Sequence, residues 1–245
     1  MTRPTKKRGI LIVFEGPEGS GKTTHIQHLA EHFRRLGHVV RITREPGGTE
    51  LGDGVRNLLL ARHQTMSAET ELTLLLAQRI EHTRQVLRPA LAAGEVVLCD
   101  RHADSSRVYQ GLARGLGLEL VNRLHKALKC EVRAHLTVLM DLDPQIGLAR
   151  AAVARKRALD RIEAEAMAFH RRVRQGYLKL AKAEPRRFLV IDADGTPDEV
   201  FARLLAGLEH RKIIVVKQKP VGRRMDTLAG TPKRLTSRRG PSTRR

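Results

Sequence analysis

The sequence has little of several features that define whole classes of protein. It contains no tryptophan, two cysteines and only 3% aromatic residues among 245 positions. Cys99 and Cys130 lie far apart, without a CxxC pair or a Cys/His cluster, which excludes a disulfide scaffold and a zinc site of that kind. No run approaches the roughly 20 consecutive apolar residues that span a bilayer, and the apolar stretch from Ile10 is broken at Glu15. We therefore expect a cytoplasmic protein with reduced thiols and no membrane segment.

Acidic residues are also scarce, with 26 Asp and Glu against 46 Lys and Arg, for a net charge of +20. The excess lies at the two ends. Residues 1–8 form a basic extension, and residues 211–245 carry twelve Lys and Arg against one acid, Asp226, together with several Gly and Pro. This composition cannot bury enough apolar surface to offset chain entropy and predicts a disordered basic tail over 211–245. Such a tail either contacts nucleic acid non-specifically through phosphates or is a solvated extension without a partner.

Apolar, β-branched runs alternate with longer segments of helical spacing along the rest of the chain. The runs predict strands at residues 10–14, 38–42, 96–99, 135–140 and 188–191, and the spacing predicts helices at 24–36, 68–92 and 163–183. Short apolar runs separated by helices are typical of parallel strands buried on both faces. The fold class predicted is therefore α/β, with a parallel sheet flanked by helices.

The end of the first run carries a complete GxxxxGK[ST] motif, from Gly16 to Thr23. A strand leads into the motif and a helix leaves it, so the backbone N–H groups and the helix N-terminus can cradle the phosphates of a nucleotide. Lys22 supplies a point charge and Thr23 a hydroxyl for Mg²⁺. The candidate ATP-binding residues are Gly16, Pro17, Glu18, Gly19, Ser20, Gly21, Lys22, Thr23 and Thr24.

A second metal contact is indicated at Asp100, where the third predicted strand ends on Asp100–Arg101. Nucleotide-binding proteins with this loop hold Mg²⁺ partly through an acid on a neighbouring strand, and ligands bind at the carboxyl ends of α/β strands. The alternative is a surface ion pair with no role in binding. We favour the metal site because the acid ends an apolar strand of the same sheet.

The length of the chain leaves little room for a motor or a multi-domain ATPase and favours a kinase of a small molecule. A kinase also needs cations around its acceptor phosphate, because the donor and acceptor anions must meet in a site without water. Arg44 in the loop after the second strand and Arg56 further on are candidates.

Three segments resemble the bacterial thymidylate kinases: FEGPEGSGKTT at 14–24, TREPGGT at 43–49 and DRHADSSRVYQG at 100–111. The segments keep the order of that family, and the likeness continues at 113–115, 139–144 and 159–163. It covers about residues 9–210 and leaves the tail outside.

This resemblance implies a P-loop NTPase three-layer fold with a five-stranded parallel sheet, a short lid at about 149–162, and a homodimer. It implies phosphoryl transfer from MgATP to dTMP, in dTDP biosynthesis. Two alternatives stay open: a kinase of another nucleoside monophosphate, and a nucleic-acid-associated P-loop protein that acts through its tail.

The resemblance also assigns roles position by position. Glu18 would face the acceptor sugar or the metal, and Tyr109 would favour a deoxy sugar. Lid arginines would neutralise developing charge, because the loop has no basic residue before Lys22. The implied dTMP contacts are Glu18, Arg44, Arg56, Leu75, Arg79, Arg101, Ser105, Ser106, Tyr109 and Gln110, and the implied catalytic residues are Glu18, Lys22, Arg101, Arg155, Arg157 and Arg161.

One position departs from the family pattern. Leu75 stands four residues before Arg79, where the family usually has an aromatic residue that stacks on thymine. Stacking of a base on an aromatic ring is worth roughly 1–3 kcal/mol. We therefore expect weaker thymidylate binding, by about tenfold in KM.

Overall fold

Five parallel strands form the sheet of the computed structural model, which describes residues 9–155 and 159–213. The order across the sheet is β2-β3-β1-β4-β5, so the first strand lies in the centre. The predicted five-stranded parallel sheet is confirmed. The predicted extension at 1–8 and the tail beyond residue 213 lie outside the described residues. The strands are β1 (Ile10–Glu15), β2 (Val40–Arg44), β3 (Val96–Asp100), β4 (Leu136–Asp141) and β5 (Phe188–Asp192).

Helices cover both faces of this sheet, and in the described ranges none is long and apolar enough to cross a membrane. Two helical segments widen into π-helical turns, at Thr83–Leu87 and at Arg107–Ala113. The helices are α1 (Lys22–Arg35), α2 (Glu50–Leu60), α3 (Ala68–His82), α4 (Arg88–Ala92), α5 (Ala103–Ser106), α6 (Leu118–Leu128), α7 (Pro144–Arg155), α8 (Met167–Ala183) and α9 (Pro197–His210).

The core lies on both faces of the sheet, as the apolar strands predict. On one face, α1 packs on β1 and β3 and α9 packs on β5, with Phe14, Leu29 and Leu204 fully buried. On the other face, α8 packs through Val173 and Tyr177 against Leu139 of β4. Strands buried on both faces need apolar side chains at consecutive positions, and this requirement explains the unbroken apolar runs.

The second strand was predicted to begin at His38 and begins instead at Val40. The N–H of Gly37 donates to the carbonyl of Arg34, and that of His38 donates to the carbonyl of Phe33, at 2.9 and 3.1 Å. Gly37 has a φ of 86°. These two bonds close the C-terminus of α1, so His38 belongs to the helix cap rather than to the sheet.

Two predicted helices also have different bounds. The segment predicted as one helix over 68–92 is divided by the π-helical turn before Pro89, a residue with no N–H to donate to a carbonyl four residues earlier. The last predicted helix begins at Met167 instead of Glu163. The Asp160 carboxylate accepts the N–H groups of Ile162 and Glu163 at 3.0 and 2.9 Å, which holds that segment as a turn.

Each strand of the sheet ends on a charged residue at its carboxyl end. Arg44 and Asp100 are register partners, and Asp141 pairs with Asp192. The charges therefore meet at one edge, where ligands of α/β proteins bind. The five residues are Glu15, Arg44, Asp100, Asp141 and Asp192.

Candidate active site

The glycine-rich loop between β1 and α1 lies in backbone contact with the first turn of α7. A Cβ atom at Gly19, where φ is 68°, would lie 1.8 Å from the carbonyl oxygen of Gly147. A Cβ at Gly147 would lie 2.2 Å from the carbonyl oxygen of Glu18. Only glycine fits on either side of this contact. The predicted ATP-binding residues, Gly16 to Thr24, occupy the loop and the first turn of α1.

The N-terminus of α1 faces the same cleft and has no acidic residue in its first turn. Lys22 is 8% exposed, and its Nζ donates to the carbonyls of Pro17 and Gly16 at 2.8 and 3.2 Å. Burial, followed by the nearby Arg101 guanidinium, lowers the pKa of Lys22 to about 8. The ammonium is mostly protonated at pH 7, and together with the helix N-terminus it forms a strong anion site.

Thr23 and Asp100 bring two hard oxygen ligands together beside the loop. Thr23 Oγ1 donates to Asp100 Oδ2 at 2.8 Å. In the part of the chain that the structure describes, no group of three His, Cys, Asp or Glu residues could hold a metal ion by itself. The pair fits Mg²⁺, which protein sites usually hold through one or two side chains, with substrate phosphates and water completing the octahedron.

Arg101 follows directly after β3 with a φ of 69°, an uncommon conformation for a residue with a side chain. Its Nη2 donates to Glu18 Oε1 at 2.6 Å, and its guanidinium lies 5.1 Å from the centre of the Tyr109 ring. The Tyr109 hydroxyl donates to the same Glu18 oxygen at 3.0 Å. The strained backbone therefore directs Arg101 to the tip of the phosphate loop.

A group of buried polar side chains fixes the position of the Arg101 guanidinium. Tyr177 of α8 donates its hydroxyl to Glu15 Oε2 at 2.8 Å, and Arg101 Nη1 donates to that hydroxyl oxygen at 3.0 Å. Ser105 Oγ donates to Glu15 Oε2 at 2.6 Å. Burial is the main cause that raises the pKa of Glu15. Glu15 and Tyr177 were not among the predicted site residues, although an acid at the end of a buried strand was a signal for the first of them.

Two cavities open at this edge of the sheet and share part of their walls. The larger, of about 830 Å³, runs along the phosphate loop, and the smaller, of about 110 Å³, lies between α2, α3 and the segment after α5. The residues that line both cavities are Glu18, Glu45, Arg56 and Arg101. Two bound molecules would therefore meet at these four side chains.

The predicted acceptor arginines lie at this junction. Arg56 Nη1 donates to the carbonyl of Pro46 at 3.2 Å, and exposed Arg44 pairs with Asp53 at 3.1 Å. Burial, followed by repulsion from Arg44, lowers the pKa of the Arg56 guanidinium. A half-buried cation destabilised by a neighbouring cation is a suitable partner for a phosphate.

Arg79 lies on the floor of the smaller cavity and is 1% exposed. Its Nε donates to Glu45 Oε2 at 2.6 Å, and its Nη1 contacts Ser106 Oγ and His125 Nε2 at 3.0 and 2.8 Å. Its Nη2 donates to the carbonyl of His102 at 3.3 Å and carries one further proton. The four partners fix the position of the guanidinium beside the cavity. Burial alone would raise the pKa of Glu45. The charge of Arg79, followed by that of His102, outweighs burial and holds this pKa well below its usual range.

The remaining predicted acceptor residues contribute polar and apolar walls. Leu75 lies beside Leu59, Leu60 and Ile162 in the lining of the smaller cavity. Gln110 donates through Nε2 to Glu71 Oε1 at 2.6 Å. Glu71 was not identified from the sequence, because its partners come from segments distant in the chain.

The predicted lid arginines are divided by the structure. Arg155 ends α7, but its side chain and the whole of Arg157 lie outside the described residues. Arg161 lies on the wall of the smaller cavity, where Nε donates to the carbonyl of Leu59 at 2.8 Å and Nη2 to Glu71 Oε2 at 2.5 Å. In this structure, Arg161 is therefore engaged in the wall of the smaller cavity.

The far end of the larger cavity was not predicted as a site. Arg150 of α7 donates to the carbonyl of Ala193 and to Asp194, both at 2.9 Å, and these residues adjoin Gly195 and Pro197 in the wall. The loop after the last strand lies at the same sheet edge as the phosphate loop. Because ligands of α/β proteins bind at the carboxyl ends of the strands, the position of this loop after β5 could have indicated it as part of the site.

Two anion-binding regions that share a wall, on a P-loop sheet of this order, define a phosphotransferase of the nucleoside monophosphate kinase class. The family model for thymidylate kinase matches residues 14–204. The thymidylate kinase of Deinococcus radiodurans is 49% identical over 204 residues, 83% of this chain and 98% of the relative, and that of Desulfosudis oleivorans is 50% identical over 207 residues, 82% and 97% respectively. A crystal structure of thymidylate kinase from Ehrlichia chaffeensis has a TM-score of 0.67 at 32% identity and covers 82% of this chain and 99% of that one. The chain belongs to the thymidylate kinase family, which confirms the resemblance.

Proposed function

We propose that this protein transfers the γ-phosphoryl group of ATP to dTMP, giving ADP and dTDP. The observation that carries this proposal is the shared wall of the two cavities, formed by Glu18, Glu45, Arg56 and Arg101. A donor phosphate in the larger cavity and an acceptor phosphate in the smaller one meet there. Placing both reacting groups in one geometry removes much of the entropic barrier to a two-substrate reaction.

The donor triphosphate binds along the loop amides, the N-terminus of α1 and Lys22. Thr23 and Asp100 would hold Mg²⁺, and the 2.8 Å contact between their side chains supports this pairing. Bound Mg²⁺ would neutralise charge on the phosphate oxygens. Lys22, with its pKa lowered to about 8, stays predominantly cationic at pH 7 and stabilises the negative charge of the phosphates.

The acceptor phosphate binds to Arg44, Arg56 and Arg101. Glu18 orients Arg101 through the 2.6 Å ion pair, and Tyr109, which donates to the same carboxylate, closes the site beside the sugar. The transferred group carries its charge on oxygen atoms in the transition state, and fixed guanidinium groups stabilise that charge without rearranging.

The acceptor base binds in the smaller cavity, between Leu75 and the residues on its floor. Arg79 offers the remaining proton on Nη2 as a donor, and Gln110 offers its side-chain amide. A carbonyl oxygen next to a ring N–H, as in thymine and uracil, matches a donor beside an acceptor. Ser105 and Ser106 support this floor through their contacts with Glu15 and Arg79.

The domain of about residues 9–210 includes the expected lid at about 149–162, whose positive charge would act on ATP; the side chain of Arg155 and the whole of Arg157 lie outside the described residues. Arg161 holds the acceptor side of the lid through its contacts with Leu59 and Glu71. We further propose that the protein is a cytoplasmic homodimer. The twelve basic residues of 211–245 provide a non-specific contact to nucleic acid.

The test is ADP release from the full-length protein with MgATP and dTMP, dUMP, dCMP, UMP, AMP or GMP in parallel, with Lys22→Met as the inactive control. The proposal expects the highest kcat/KM with dTMP. A preference for another monophosphate would retain the mechanism and change the substrate. No release with any acceptor would refute kinase activity.

The tail is tested separately with a truncation that ends at Ile213. Arg211 Nη2 donates to the carbonyl of Phe188 at 2.8 Å, so this residue must be kept. We expect unchanged phosphoryl transfer and weaker retention on both DNA and RNA at low salt. Equal retention of the two proteins would exclude a role of the tail in nucleic-acid binding.

A further inference from the structure

The two polar atoms of the Gln110 side-chain amide differ in their hydrogen bonding. Its Nε2 donates to Glu71 Oε1 at 2.6 Å. Its Oε1 is buried and has no hydrogen-bond partner among the residues that the structure describes. Gln110 lines the smaller cavity and is 3% exposed. A buried polar atom without a partner is costly, and at a ligand cavity it indicates a partner that arrives with the ligand.

Glu71 is held in place by other donors as well. Arg161 Nη2 donates to its Oε2 at 2.5 Å, and Arg114 Nη2 donates to the same oxygen at 3.3 Å. Arg114 is itself fixed by an ion pair with Glu165 at 2.7 Å and by the Phe169 ring at 4.6 Å. Burial raises the pKa of Glu71, but the hydrogen bonds from Gln110 and Arg161 outweigh it and lower that pKa overall. Glu71 is therefore a carboxylate in a fixed position.

An ionised carboxylate accepts hydrogen bonds and cannot donate one. The amide atom of Gln110 that lies 2.6 Å from Glu71 must therefore be the nitrogen, and the oxygen must be the atom left for the cavity. Without this partner, the amide could rotate by half a turn and present its NH₂ group instead. The charge on Glu71 thus decides which hydrogen-bonding group Gln110 offers.

We infer that Glu71 is a positioning residue that sets base selectivity by fixing the orientation of the Gln110 amide. The acceptor at Gln110, next to the donor at Arg79, complements a base that has a ring N–H beside a carbonyl. Cytosine has a ring nitrogen acceptor beside an amino group and is mismatched at both positions. This inference rests on the proposed function, since it concerns the base of the acceptor nucleotide.

The test is the ratio of kcat/KM for dTMP to kcat/KM for dCMP in Glu71→Gln. The oxygen of the new amide accepts from Arg161, so its NH₂ group faces Gln110, and the Gln110 amide then turns its oxygen toward residue 71 and its NH₂ group toward the cavity. We expect the ratio to fall by at least about tenfold, since a mismatched buried polar group costs that much or more. A purely structural role would lower both values together and keep the ratio, and an unchanged ratio would overturn the inference.

Two further variants distinguish a change in the orientation of the Gln110 amide from a general disruption of the cavity. In the exchanged pair Glu71→Gln with Gln110→Glu, residue 110 carries only acceptor oxygens, and we expect the preference for dTMP to return. Arg114→Gln removes one partner of Glu71 but leaves its contact with Gln110, so the ratio should stay near that of the wild type. Failure of the exchanged pair to restore the ratio would count against the inference, as would a large change in the control.

Neutron diffraction of the deuterated wild-type protein gives a reading that requires no variant. We expect both deuterons of the Gln110 amide on the atom that faces Glu71. Deuterons on the atom that faces the cavity would overturn the inference. This reading is independent of turnover: if the wild-type protein shows no preference for dTMP, the proposed function fails, while the amide orientation still reports on Glu71 itself.

Discussion

Substitution of Gly147 by alanine would separate α7 from the phosphate loop. The new Cβ would lie 2.2 Å from the carbonyl oxygen of Glu18, whereas ordinary contacts begin at 3.4 Å, so the two backbones must move apart by about 1.2 Å. The displaced residue, Glu18, is the one that orients Arg101. A misplacement of about 1 Å in a reacting geometry can cost about a hundredfold in rate, or ~2.7 kcal/mol of barrier. We therefore expect kcat to fall by about two orders of magnitude.

The assay is steady-state ADP release, with the free energy of unfolding measured in parallel. Alanine is favoured over glycine in a helix by about 1 kcal/mol, so lost activity should not reflect lost helix stability. Gly54→Ala in α2 is the matched control, because a Cβ there meets nothing within 4 Å in the described structure. We expect normal kinetics from it. A kcat for Gly147→Ala within about twofold of the wild type would refute the coupling of α7 to the loop.

Three further predictions concern the two cavities and the buried ion pairs. Leu75→Phe should lower the KM for dTMP by about tenfold through stacking and leave the KM for ATP unchanged; an equal KM for dTMP would contradict the role of this position. Asp100→Asn should raise the Mg²⁺ concentration that gives half-maximal activity, in a magnesium titration at saturating nucleotide, and an unshifted midpoint would argue against the metal contact. The lowered pKa of Glu45 contributes stability that is present above about pH 4.5 and is lost as the pH falls below that value. Urea unfolding as a function of pH should show this loss of stability in the wild type and a weaker loss in Glu45→Gln. At pH 7, Glu45→Gln should also be less stable than the wild type by about 3–5 kcal/mol, because buried Arg79 loses its counter-ion. Parallel pH profiles of the two proteins would disprove the contribution of Glu45.

The half of the candidate site that contains the glycine-rich loop could be predicted from the sequence because its parts obey local rules. The loop from Gly16 to Thr23 has fixed spacing, and Asp100 ends an apolar strand. Parallel strands place such ends at one edge, so the contact between Thr23 and Asp100 follows from topology alone. The strand ends were less exact, as at His38, because a helix cap competes with the sheet for the same backbone groups.

The buried residues behind the smaller cavity could not be predicted in this way. Arg79 was identified through the family resemblance, but its partners Glu45 and His125 come from the loop after β2 and from α6. Nothing in the spacing of these residues places them in contact. Their pairing depends on how helices pack, and a buried charge is recognisable only once its surroundings are known. Glu71 and Arg161 are separated by 90 positions and meet for the same reason.

The central position of β1 has a consequence for how the chain is made. This strand is synthesised before the other four, yet its neighbours are β3 and β4, and within the described sheet β2 pairs only with β3. About 85 residues separate the end of β1 from the end of β3, which corresponds to roughly 4–17 s of synthesis at ~5–20 residues per second. During that interval, the strand Ile-Leu-Ile-Val-Phe has two unpaired edges and no partner strand to bury it. A chaperone that shields nascent chains should therefore increase the yield of folded protein, because the first of the five strands to be synthesised is among the last to be enclosed.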